Sequence, residues 1–153
     1  MRLLSKIMCV VAVITASLAA ACGGGGTKNA IRGLVLVTQP DQPWHVAEAC
    51  TTAGDFGDIK KGTQVRVTDA SGKQVAKGSL EDGRGEEDDN TDADGSETHI
   101  CEFAFGIASV ATTDSYTVTV GGRADASVTR SLDEMRSIFW QLTFEFPKPE
   151  PAP

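Results

Sequence analysis

Histidine, tyrosine and methionine are scarce in the 153 residues: two His, one Tyr and three Met. Two imidazoles leave little room for His-rich metal or redox chemistry. No stretch combines the length and apolarity of a transmembrane helix, which needs about 20 apolar residues. Basic residues are outnumbered, 14 Lys and Arg against 21 Asp and Glu, for a formal charge of −7. A nucleic-acid binder needs a basic face to neutralise phosphates, so nucleic acid is not an expected partner. Catalytic signatures are missing too. There is no G-x-S-x-G elbow, no H-E-x-x-H, and no Gly-rich phosphate loop with its Lys.

The N-terminus holds the first positive signal. Arg2 and Lys6 precede an apolar run, Ile7 to Ala21, interrupted only by Thr15 and Ser17. The pattern predicts a secretory signal over residues 1–21. Its loss would leave a chain near −9, about a third of it apolar, a thin supply for a core. The run closes on Leu18-Ala19-Ala20-Ala21-Cys22, which resembles the bacterial lipobox, in which the cysteine is lipidated and becomes the new N-terminus. The usual pattern puts Leu three before the Cys, where this chain has Ala19. An ordinary signal-peptidase cut after Ala21, leaving Cys22 free, is the alternative. Gly23 to Gly26 follow directly and form a flexible tether, residues 22–30, of use only if its start is anchored. Lipid on Cys22 would supply two chains, where one gives only marginal binding. The expected location is the extracytoplasmic face of a bacterial cell membrane.

Cys9 leaves with the signal and Cys22 takes the lipid, so Cys50 and Cys101 remain for an oxidising compartment. They are expected to form a disulfide. The competing reading is a zinc site with His45 and His99, whose spacing is unlike the usual C-x2-4-C pairs. His45, beside Trp44, is expected to be a partly buried packing residue.

The body reads as strands. Ile31 to Thr38 is one run. Val65 and Val67 alternate with polar neighbours, Asp69 to Lys73 is a turn with Gly72 available for positive φ, and Gln74 to Leu80 returns. Cys101, Phe103 and Phe105 alternate, as do Tyr116, Val118 and Val120, and Gly121-Gly122 leads into Ser127 to Thr129. Ser131 with Glu134 three later is a capping box for one helical turn, with Leu132 and Met135 facing in. Trp140, Leu142, Phe144 and Phe146 alternate on a last strand. The expected core is Trp140, Leu142, Phe144, Phe103, Phe105, Val118 and Val65. Four of the six prolines crowd residues 147–153, a tail that cannot enter a sheet. The expected fold is an all-β immunoglobulin- or transthyretin-like sandwich of seven or eight strands over residues 31–146.

Residues 58–80 (DIKKGTQVRVTDASGKQVAKGSL), CEFAF at 101–105, YTVTVGGR at 116–123 and SLDEM before the closing strand resemble a group of small actinobacterial lipoproteins. The resemblance covers roughly residues 54–146. It implies a sandwich that contacts carbohydrate or protein, with no activity to transfer.

Between Glu81 and Glu97 lie nine acidic residues and a single base, Arg84. Without a large apolar residue the segment is expected to be a mobile loop between strands. Its Asn90, Asp92, Asp94 and Ser96 resemble the first half of a calcium loop around Gly95, although Cys101 stands where the bidentate acid belongs. Calcium is thus a weak candidate, and no other cofactor is expected.

Three functions are open on these residues. One is an anchored, non-catalytic interaction or envelope-structural module contacting an envelope protein or carbohydrate. A second is a carboxylate-dependent hydrolase or carbohydrate-active enzyme, for which Glu102 and Glu145 would pair if their strands were neighbours. A third is a weak calcium-binding surface domain. A Ser96–His99 dyad lies in the polar segment, where catalysis lacks the positioning it needs.

Overall fold

The structure, a computed structural model, describes residues 29–87 and 97–147. It is an all-β sandwich. Among the described residues nine strands form in chain order: β1 (Asn29–Thr38), β2 (Trp44–His45), β3 (Gln64–Thr68), β4 (Gln74–Glu86), β5 (Glu97–Thr98), β6 (Ile100–Val110), β7 (Ser115–Val120), β8 (Ser127–Ser131) and β9 (Gln141–Phe146). A 3-10 turn (Gly54–Phe56) precedes β3, and a short helix α1 (Leu132–Ser137) separates β8 from β9. Seven strands make one curled sheet in the order β8-β7-β3-β4-β6-β1-β9, while β2 and β5 pair by themselves. All pairs in the large sheet are antiparallel except β1 with β9.

The sheet becomes two layers because β4 serves both. Its first half pairs with β3, Gln64 opposite Ser79. Its second half pairs with β6, Leu80 opposite Phe105, and its register shifts between Leu80 and Gly83. The bulge turns the strand and twists it locally, which carries the chain from one layer to the other. Inward positions alternate as a pleated strand requires: Val65 and Val67 on β3, Cys101, Phe103, Phe105 and Ile107 on β6, Tyr116, Val118 and Val120 on β7, and Leu142, Phe144 and Phe146 on β9 are all buried. Six of the seven expected core residues are buried as read. Trp140 is the exception. It sits just before β9 with a left-handed φ of 61° and is only partly buried, its ring centre 5.3 Å from that of Tyr116 in a T-shaped pair.

The local punctuation follows the residue chemistry. Asp69 accepts from the Ser71 and Lys73 amides, at 2.9 and 3.0 Å, and Gly72 supplies φ of 81°. Ser131 and Glu134 form the full capping box of α1, and Met135 is the buried face of that helix.

The expectation of a loop from residue 81 onward is corrected, since β4 runs on to Glu86. The inward positions there are Gly83 and Gly85, so no apolar residue marks the face. Their emptiness is used. A Cβ on Gly83 would lie 2.7 Å from the Cys50 carbonyl oxygen and the Phe103 ring and 2.9 Å from the Cys101 sulfur. One on Gly85 would lie 2.3 Å from the His45 carbonyl oxygen. The segment after β2 is strapped against this glycine stretch. Ala47 N–H donates to Gly85 O (2.8 Å), Gly85 N–H to Glu48 O (2.9 Å), and Cys50 N–H to Gly83 O (3.0 Å). Cys50 and Cys101 are joined in a disulfide, Cα to Cα 5.8 Å, which ties the strap to β6. Trp44 is partly buried, whereas His45 is exposed, contrary to its expected packing role.

Replacing Cys50 and Cys101 together by Ala opens a loop of 51-residue separation, and the chain-entropy cost is roughly 4 kcal/mol. The melting temperature in a thermal scan should fall by more than about 10 °C. Gly83→Ala should cost about 1–3 kcal/mol in denaturant unfolding, because backbone and disulfide cannot yield. Gly106→Ala, where a Cβ meets nothing within 4 Å, should leave stability unchanged or raised.

Candidate functional site

The feature that demands a role is the outer face of the layer β4-β6-β1-β9. Strand β1 is central there, flanked by β6 and β9. Its inward residues Ile31, Val35 and Val37 are fully buried. Its outward residues are Arg32, Leu34, Leu36 and Thr38, so the strand is apolar on both sides, while among the described residues only the inner side is fully covered and Leu34 and Leu36 are half-buried. A near-continuous apolar run is what a strand covered on both faces shows.

The register arranges the outward side chains in rows. Gly106, Arg32 and Gln141 form the first, and Ala104, Leu34 and Thr143 the second. The third runs Arg84, Glu102, Leu36, Glu145. Glu86, Ile100 and Thr38 close the face. A shallow cavity of about 430 Å³ occupies the first two rows, lined by Arg32, Leu34, Ala104 and Thr143 with Glu81 at its rim. Gly106 carries no side chain to fill it. The face is thus an apolar stripe of Leu34, Leu36, Ala104 and Ile100 with carboxylates along its margins.

Glu102 and Glu145 share a row, as a carboxylate pair would, but their strands are not neighbours. Leu36 of β1 stands between them, and two strand spacings put their backbones roughly 9–10 Å apart. Burial, and then the charge of Glu86, hold the Glu102 carboxyl above the ordinary glutamate range. Among the described residues the pair stands on an open sheet face, with Leu36 between the two carboxylates. No outward position in these rows is aromatic, and the one ring among the residues that line the cavity, Phe105, is buried.

The other sequence candidates are dispersed. Cys50 and Cys101 are consumed by their disulfide, so the zinc reading with His45 and His99 fails for lack of thiolates. Among the described residues no group of three or more His, Cys, Asp or Glu is placed to hold a metal. Cys22 and the calcium candidates Asn90, Asp92, Asp94 and Ser96 lie outside the described residues. What is described is the base of their segment. There Thr98 is fully buried, donates to the Glu86 carbonyl and receives the Ile100 amide at 3.2 Å.

Sequence reasoning missed one further polar centre. Arg123, in the turn after β7, pairs with Asp58 at 2.8 Å and Asp125 at 2.9 Å and donates to the Asp55 carbonyl at 2.9 Å. Its guanidinium lies 5.6 Å from the ring centres of both Phe56 and Phe146. The residue clamps the 3-10 turn, the β7–β8 turn and the end of β9 together. Asp125 lies two residues on, but the partners that make the clamp, Asp58 and the Asp55 carbonyl, are 65 and 68 residues away and leave no local signal.

The raised Glu102 pKa has a sign. The charged carboxylate is less favoured folded than unfolded, so its stability contribution is full below the unfolded glutamate range and is lost as pH rises through the folded pKa. Glu102→Gln should therefore raise the melting temperature at pH 7, and the difference from wild type should close by about pH 4. Compared with protein-family models, curated proteins and solved structures, the chain matches none.

Proposed function

We propose that the protein is a lipid-anchored, extracytoplasmic lipoprotein whose sandwich is a non-catalytic interaction module. Residues 1–21 supply the export signal, Cys22 the lipid, and Gly23 to Gly26 the tether. The disulfide supports export, since such bonds persist in oxidising compartments and are rare in the cytosol. The observation that carries the interaction role is the outward apolar stripe of Leu34, Leu36, Ala104 and Ile100, rimmed by Glu81, Glu86, Glu102 and Glu145. Half-buried leucines on an uncovered sheet face, with acidic margins, fit a protein surface that brings apolar and basic side chains together. The missing aromatics favour protein over carbohydrate.

Two measurements test the reading. Intact mass of the protein from the membrane fraction should show a diacylglyceryl group on the chain beginning at Cys22; an unmodified cysteine contradicts anchoring. A photo-crosslinking residue at Leu36 should give discrete protein adducts in whole cells, while one at Thr117 on the opposite face should not. Equal labelling from both faces, or none from Leu36, removes the outer face as the contact surface.

A further inference from the structure

Phe139 is 83% exposed and is the one exposed large hydrophobic residue among the described residues. Its exposure is built in. The chain leaves α1 through two consecutive left-handed residues, Phe139 at φ 53° and Trp140 at φ 61°. L-residues rarely adopt that conformation, and two in succession form a fixed, tight exit. Three hydrogen bonds hold it: Phe139 N–H to Arg136 O (3.0 Å), Trp140 N–H to Met135 O (2.8 Å), and Arg32 N–H to Trp140 O (3.0 Å). Trp140 is turned inward onto fully buried Tyr116. With Trp140 directed into the core, its neighbour projects outward as a rigid apolar tip beside half-buried Ile138.

The position of the tip matters as much as its exposure. Strands β1 and β9 are parallel, and Arg32 stands opposite Gln141. Phe139 therefore lies at the end of the sandwich where β1 begins at Asn29. The acidic segment leaves from the other end, where Glu86 and Thr38 both flank Ile100. Ten residues of β1 separate the two ends by roughly 33 Å. At the Phe139 end, Arg136 pairs with Asp133 at 3.3 Å, and Arg32 lines the same shallow cavity as Glu81. Seven residues, Cys22 to Lys28, connect Asn29 to the lipid site. Fully extended they span at most about 25 Å. A lipid on Cys22 would hold this end, and not the acidic one, near the bilayer surface.

We propose that Phe139 is a second membrane contact, an aromatic tip that enters the headgroup region and orients the anchored sandwich with its acidic end away from the bilayer. The inference rests on the lipid-anchored reading above. The occupant is a lipid surface because the tip is a single rigid aromatic, and because the short connection confines it there. One aromatic contributes weak binding by itself and becomes effective once the lipid has raised its local concentration.

The test uses the full-length lipidated protein in vesicles of phosphatidylglycerol and phosphatidylethanolamine. A nitroxide is placed at exposed Ser137→Cys, with Phe139 kept, or, as the control at the opposite end, at exposed Ala124→Cys. Both positions are on the surface, so folding is not at stake, and circular dichroism verifies it. Collision with oxygen relative to a water-soluble nickel complex should be several-fold higher at 137 than at 124, and adding Phe139→Ser should return the 137 ratio toward the water-like value. Equal, water-like ratios at both positions in vesicle-bound protein of verified lipidation, or a 137 ratio that Phe139→Ser leaves unchanged, would overturn the membrane contact and leave the anchored reading standing. An intact mass without lipid would overturn both.

Discussion

The disulfide between Cys50 and Cys101 seated over two glycines is the constraint on which the rest depends. Gly83 and Gly85 leave a hollow on the inner side of β4, and the strap through Ala47, Glu48 and Cys50 fills it with backbone. Three backbone hydrogen bonds pair the strap to β4, and the disulfide fixes it to β6. This is a solution for a chain poor in apolar residues: main chain and sulfur occupy core volume that side chains would otherwise fill. The edge of β4 beyond its pairing with β3 is also covered by this strap, which removes unpaired peptide groups from solvent.

Much of the fold is legible because alternation reports one-sided burial. Val65 and Val67, Phe103 and Phe105, Tyr116, Val118 and Val120, and Leu142, Phe144 and Phe146 all face inward as their polar neighbours imply. The Asp69–Lys73 turn and the Ser131–Glu134 capping box are equally readable, since their hydrogen bonds are local. What hides is whatever glycine encodes. Residues 81–86 look like solvated loop, yet the strand continues with inward positions that carry no side chain at all. Trp140 breaks the alternation that it opens in the sequence, because the left-handed exit from α1 is a tertiary requirement.

The candidate surface was half legible. The run from Ile31 to Thr38 reads as a strand, and its two-faced apolarity contains the signal that its outer face is unusual. Which residues join it there depends on strand order, which no local pattern carries. Parallel pairing of β1 with β9 brings Leu36 beside Glu145, residues far apart in the chain. The same pairing separates Glu102 from Glu145 and sets Phe139 at the end where β1 starts. The two ends of one parallel pair thus define both the contact face and the polarity of the molecule.

Hydrogen exchange of the oxidised and reduced protein, followed residue by residue, tests the central role of the strap most directly. Reduction should strip protection first from the amides of Ala47, Cys50 and Gly85, while those of β7 and β8 exchange through a later opening. Protection of the strap unchanged by reduction, or lost uniformly across both layers, would contradict the account.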